Sequence, residues 1–361
     1  MKPTERLRDL GQSLWLDQIT RELLDSGELQ RLIDGLSITG LTSNPTIFEQ
    51  AIGRSSRYDE AIRAGLRAGR PPEALFFDLA LDDLTRAADL FRPVHERTGG
   101  VDGWVTLEVS PLLAHDAAAT IRQARELHER AGRPNLFIKI PGTAEGLPAI
   151  EASVFAGVPV NVTLLFSREQ YLAAADAWLR GIERRIDAGL PPDVASVASL
   201  FISRWDAAVA GRVPETLRNR LGLAIGQRAY RAYAERLASP RWQRAMNHGA
   251  RPQRLLMAST GTKDASASDT LYVGGLAAPL TVNTMPEATL RAFAGHGEVG
   301  PPLRADGGDC ETVIAQHAQA GVDVDALAAR LQDDGAQAFV RSWRGLLQQL
   351  AARGETLGRA A

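Results

Sequence analysis

Cysteine is almost absent from this chain of 361 residues: Cys310 stands alone, so no internal disulfide can form, and neither CxxC nor HExxH occurs to hold a zinc ion. Nor does either sign of charge prevail. With 41 basic and 43 acidic side chains the formal net charge is -2, which gives no global field to draw nucleic acid or an anionic membrane. A small solute is the expected partner. Long hydrophobic runs are missing too, since none approaches the roughly 20 apolar residues that cross a bilayer. The polar start, "MKPTERLRDLGQ", has no apolar signal core, and a soluble cytoplasmic protein is expected. No flexible linker, internal repeat or low-complexity segment divides the chain, so a single domain over 1–361 is expected. His95, His115, His128, His248, His296 and His317 show no ligand spacing, and neither metal nor cofactor is expected.

The scarcest charged residue is lysine, found only as Lys2, Lys139 and Lys263. Lys139 falls inside "NLFIKIPGT" (135–143), an apolar run that reads as a buried strand. Arginine binds anions at least as well, but its guanidinium stays protonated and is no nucleophile. An imine needs an amine that can lose its proton, and burial disfavours an ammonium. A buried strand lysine is therefore a candidate nucleophile. The bland alternative is an ion pair with Glu108 or Asp17 that only holds the fold.

Short β-branched runs recur along the chain, separated by Ala/Leu/Arg segments at helical spacing. They are "SLWLD", "SITGLTSN", "GWVTLEVS", "NLFIKIP", "PVNVTLLF", "ASVASLFIS", "RLLMAST" and "PLTVNT". Strands alternating with helices predict an α/β fold with a parallel sheet, and this number of strands closes a (β/α)₈ barrel of the TIM type. Residues 115–133 and 167–189 predict helices, the first ending at Gly132 and the second capped by Ser167. Segment 54–98 has room for two or more helices, 294–311 reads as a surface loop, and 312–361 predicts C-terminal helices packed on the outside of the barrel.

Alternation splits each strand into two faces. One face carries Leu136, Ile138 and Ile140, or Val160, Val162 and Leu164, and packs on helices. The other would bring Asp17, Asn44, Glu108, Lys139, Asn161, Thr163 and Ser199 into the lumen, with Phe201 opposite Ile202 and with Ser259 opposite Leu256 and Ala258. Barrel interiors are ordinarily apolar, so so polar a layer near the strands' C-terminal ends predicts a site. Two carboxylates beside an amine suit imine chemistry, which moves protons on and off a carbinolamine oxygen and a departing hydroxyl.

The stretches "GLTSNPTIF" (40–48), "FIKIPGTAEGLPAI" (137–150), "NVTLLFS" (161–167) and "ASTGTKD" (258–264) resemble the transaldolase family of class I Schiff-base enzymes, in family order over most of the chain. The resemblance implies one barrel domain acting on sugar phosphates in the non-oxidative pentose phosphate pathway, without cofactor, as a monomer or homodimer. It implies Lys139 as the Schiff-base lysine, Glu108 as an acid/base working through a water held by Thr163, and Asp17 as the base for the C4 hydroxyl. Asn44, Asn161 and Ser199, with Thr42 close by, would hold the dihydroxyacetone hydroxyls. Arg204 and Ser259 match phosphate ligands. Where the better-known pattern has a second arginine, this chain has Gly261, and Lys263 is the candidate replacement; a solvated loop lysine is the alternative. Phe201 stands where the related short aldolases that release dihydroxyacetone carry a tyrosine. The rival readings are such an aldolase and a non-catalytic sugar-phosphate-binding barrel.

Overall fold

Each of the eight runs becomes a strand in the computed structural model, which describes residues 1–359. They are β1 (Gln12–Asp17), β2 (Ile38–Thr42), β3 (Trp104–Glu108), β4 (Leu136–Pro141), β5 (Val160–Leu165), β6 (Ser196–Phe201), β7 (Arg254–Ala258) and β8 (Thr281–Met285). They pair in chain order as a closed parallel barrel, with β8 returning to β1. Strands covered on both faces read as near-continuous apolar runs, and every residue of β4, β5 and β6 is buried.

Register decides which side chains share a level. Glu108 lies beside Lys139 and Lys139 beside Asn161, while Asp17 lies beside Thr42. Paired residues of neighbouring strands point to the same face, so this polar set faces the lumen at its C-terminal end. Below it the lumen is filled by Trp15, Trp104 and Phe137, the last two with ring centroids 4.0 Å apart. Gly40 leaves them space: a Cβ there would lie 2.6 Å from the Trp104 carbonyl oxygen and 2.8 Å from the Trp15 ring. At the N-terminal end, Asp102 accepts from Trp15 Nε1 at 3.1 Å and pairs with Arg254 at 3.4 Å, and Ser13 bonds to both charged groups.

Three strands break the simple alternation, the first being β2, whose register to β1 slips at Leu14/Trp15 so that Ile38 and Gly40 fall on opposite faces. In β7 the pairs Ser199 with Leu256 and Phe201 with Ala258 turn Leu256 and Ala258 inward, contrary to expectation. Ser259 lies past the strand, where a left-handed backbone (φ 55°) resets the alternation. In β5 the register to β6 slips between Val162 and Leu165 and Leu164 adopts φ 59°. Its side chain then faces the C-terminal helix instead of following Val160 and Val162.

The connecting helices follow their local signals. Ala117–Ala131 ends at left-handed Gly132, and Arg168–Asp187 begins at a Ser167/Gln170 capping box. Three helices, Pro45–Arg54, Asp59–Arg67 and Pro72–Arg97, lie between β2 and β3. Residues 297–309 form an irregular segment between helices Glu287–His296 and Cys310–Gln319. The last helix, Val324–Arg359, has 36 residues and spans about 54 Å at 1.5 Å per residue. It does not stay on the flank of the barrel. Its middle crosses the C-terminal mouth, because Gln332 Nε2 donates to the carbonyls of Gly142 and Leu164 while Ser342 meets Thr46 on the far side. Among the described residues, no helix is long and apolar enough to cross a membrane.

Candidate active site

Lys139 is the centre of the polar layer. Its Nζ donates to the Ser43 carbonyl oxygen at 3.2 Å and lies 3.3 Å from Glu108 Oε2. Ser43 is itself fixed, its N–H donating to Thr106 Oγ1 at 3.2 Å and its hydroxyl to the Thr106 carbonyl at 2.6 Å. The lysine and glutamate side chains are only 5 % and 3 % exposed, so their charges meet in a weakly screened space. Burial pushes the Glu108 carboxyl above its ordinary value, with Lys139 opposing. The contact is close enough for ion pairing but lacks hydrogen-bond geometry, which leaves both Glu108 oxygens buried without a hydrogen-bond partner.

Asp17, at the end of β1, accepts from Thr42 Oγ1 at 2.7 Å, and Thr42 also meets Thr284 at 2.7 Å. Asp17 keeps some solvent contact, yet burial raises its pKa, opposed first by the charge of Lys139 and then by Thr42, Lys263 and Arg204. Ser199 Oγ donates to Asn161 Oδ1 at 2.7 Å, and Asn161 Nδ2 has no partner; Thr163 Oγ1 is likewise buried and unpaired. Orphaned buried polar atoms carry a penalty of about 1–3 kcal/mol each, and those next to the amine are free to bond hydroxyl groups. Asn44 stands at the mouth as N-cap of helix Pro45–Arg54, its Oδ1 accepting from Ile47 N at 3.0 Å.

Toward β6 and β7 the site becomes cationic. The Arg204 guanidinium lies 5.0 Å from the Phe201 ring centroid, and Phe201 lies 5.2 Å from Phe166. Burial lowers the Arg204 pKa, opposed by Asp17 and Asp334, but a guanidinium remains charged. Among the described residues Arg204 has no hydrogen-bond or ion-pair partner, which leaves its donors for an anion. Ser259 Oγ is 3.1 Å from Ser203 Oγ in the adjoining turn. Lys263 is exposed on the rim, apart from the buried set, beside a cavity of about 620 Å³ that Ser203, Arg218 and Asp264 also line.

A profile of the family described as "Transaldolase/Fructose-6-phosphate aldolase" matches residues 14–350. Relatives named transaldolase include that of Frankia alni, 44% identical over 371 residues and covering 99% of this chain and 98% of its own. That of Thermobifida fusca is 45% identical over 363 residues, covering 97% and 99%. "Transaldolase 2" of Nostoc punctiforme is 39% identical and covers 95% of each chain. The chain belongs to the transaldolase/fructose-6-phosphate aldolase family.

Membership of that family agrees with the barrel, and the residues expected from the sequence gather at one end of it, Lys263 being exposed on the rim with its charge acting on Asp17. Four participants at this site escape a sequence reading. Ser43 contributes through its backbone carbonyl, which no residue type advertises. Thr284 was within reach, being the last residue of "PLTVNT" and on the inward face by its pairing with Trp15. Gln332 and Phe339 come from the last helix, where the apolar period gives the helix but not what it faces.

Proposed function

We propose that this chain catalyses the transaldolase reaction: it transfers a dihydroxyacetone unit from sedoheptulose 7-phosphate or fructose 6-phosphate to glyceraldehyde 3-phosphate or erythrose 4-phosphate through a Schiff base on Lys139. The observation that carries this reading is the buried amine set between Glu108 and the Ser43 carbonyl, ringed by unpaired donors and acceptors. Two carboxylates facing one buried amine exceed what sugar binding alone requires.

The neutral amine of Lys139 attacks the C2 carbonyl of the ketose to form a carbinolamine. Glu108, through a water held by Thr163, protonates the leaving hydroxyl, and loss of water gives the imine. Asp17 takes the C4 hydroxyl proton as the C3–C4 bond breaks, and the pair from that bond becomes the C2=C3 double bond while the C=N pair moves onto nitrogen, giving an enamine. The aldose phosphate leaves. An incoming aldehyde is attacked by the enamine carbon, its oxygen takes the proton back, and hydrolysis of the new imine frees the amine. Asn161 and Ser199, with Thr42 and Asn44 at the rim, hold the hydroxyls. Arg204 and Ser259, with Lys263 as the second cation, hold the phosphate and so fix which end of the sugar meets Lys139. Phe201 offers no hydroxyl to orient water, which favours transfer over release of dihydroxyacetone. We read the protein as cytoplasmic, a monomer or homodimer, with no nucleic-acid or membrane partner.

Borohydride reduction with fructose 6-phosphate, followed by peptide mass mapping, tests the covalent step. A dihydroxyacetone-derived adduct on Lys139, absent in Lys139→Ala, is expected; label elsewhere, or none, rejects it. Transfer itself is tested by glyceraldehyde 3-phosphate formation from fructose 6-phosphate with and without erythrose 4-phosphate. Equal rates would identify an aldolase instead.

A further inference from the structure

The Lys139 amine is bounded by Glu108 and the Ser43 carbonyl and, on another side, by the ring of Phe339, whose centroid is 5.7 Å from Nζ. Phe339 belongs to no barrel strand. It is buried in the middle of helix Val324–Arg359, which is fixed over the mouth at several points. Gln332 Nε2 donates to the carbonyls of Gly142 at 3.1 Å and Leu164 at 2.9 Å. Ser342 Oγ meets Thr46 Oγ1 at 2.8 Å, and Trp343 meets Phe76 edge-on with centroids 4.8 Å apart. Gln332, Gly335, Phe339 and Trp343 recur at helical spacing, so a single stripe faces the barrel and Phe339 is its member above the amine. Phe201 covers another flank, toward Phe166 and Arg204.

We propose that Phe339 is a specificity-determining residue that shields the lysine-bound three-carbon intermediate from water, so that it is transferred instead of hydrolysed. This rests on the Schiff-base reading of Lys139. After C3–C4 cleavage two fates compete. In transfer, the enamine carbon attacks the acceptor aldehyde carbon and the aldehyde oxygen takes a proton. In release, the enamine carbon takes a proton, water adds to the resulting C=N carbon, and the C–N bond breaks to give dihydroxyacetone and the free amine. Only in release must water reach the intermediate before an acceptor does. A phenyl ring neither donates nor accepts a strong hydrogen bond, and its position beside Nζ fills space through which water at the mouth would approach.

The test compares Phe339→Ala, Phe339→Tyr and Phe339→Leu by the rate of dihydroxyacetone release from fructose 6-phosphate without acceptor, divided by the rate of transfer to erythrose 4-phosphate. The ratio is expected to rise about ten-fold in the alanine and tyrosine variants and to stay near the parent value with leucine, which keeps apolar bulk. General loosening of the site would lower both rates together and leave the ratio in place. An unchanged ratio, with borohydride still trapping the adduct on Lys139, overturns the shielding role and leaves the Schiff base standing. Failure of the parent protein to form that adduct overturns the Schiff base itself. If the alanine variant does not fold, the tyrosine-to-leucine comparison decides, since those two differ in polarity while retaining bulk.

Discussion

Around the Lys139 amine the protein supplies a carboxylate, a backbone carbonyl and an aromatic ring, and each has a separable consequence. In the proposed mechanism Glu108 is acid in one step and base in the next, so Glu108→Gln is expected to lower kcat by about 10²- to 10⁴-fold while leaving the barrel folded, as circular dichroism would check. Burial raises both Glu108 and Asp17 above their ordinary values of 4.5 and 3.8. In the proposed cleavage Asp17 takes a proton and must start deprotonated, so kcat/KM is expected to rise with pH through a limb lying above the ordinary carboxylate range. Removing one carboxyl should delete or displace that limb in a pH–rate profile. Arg204 contributes differently, through binding. Arg204→Ala is expected to raise KM for phosphorylated donors by about 10- to 100-fold, from loss of charge-assisted hydrogen bonds. Lys263→Ala, exposed and screened, should change it by less than about 10-fold; titrating donor concentration against both variants checks the order.

Among the elements, the last helix matters most to the site, and it joins the mouth through a close approach at Gly335. A Cβ there would lie 3.0 Å from Leu164 Cδ2 and 3.2 Å from Arg204 Nη1. Those atoms are ends of flexible side chains, so Gly335→Val is expected to fold but to displace the Arg204 guanidinium, raising donor KM several-fold with little change in melting temperature. Here the limits of the sequence are physical. Alternation assigned the lumen residues of β1, β3, β4 and β6 because each of those strands keeps a regular pleat. It misplaced Leu164 and the end of β7, where single left-handed residues reset the alternation and no glycine gave warning. Asn44 was legible as a polar residue after β2, whereas its cap to Ile47 depends on the helix that follows. Gln332 was beyond reach for another reason: its partners lie 190 and 168 residues away, and a helical period says nothing about what a face will meet.

At the scale of the whole molecule the two ends of the barrel are built for different purposes. Around the amine stand a buried carboxylate and side chains with free polar atoms, while at the N-terminal end Asp102, Arg254, Ser13 and Trp15 are tied into one hydrogen-bonded ion-pair network. Arg254→Ala leaves the Asp102 carboxylate without its cation, and a loss of about 3–5 kcal/mol in unfolding free energy is expected from urea titration, with donor KM unchanged. Eight strands, their order and the buried lysine could be read from pattern and residue type, since barrel closure uses local and nearest-neighbour pairing. The roof could not, being a set of contacts between the last helix and residues 168 to 296 positions earlier in the chain. That roof also sets a timetable. During synthesis the ribosome finishes β8 well before it reaches Gln332 and Phe339, so every strand of the barrel is made before the segment that covers the amine. A nick by a protease within 297–309 would leave the same cover held to the cylinder only by its noncovalent contacts.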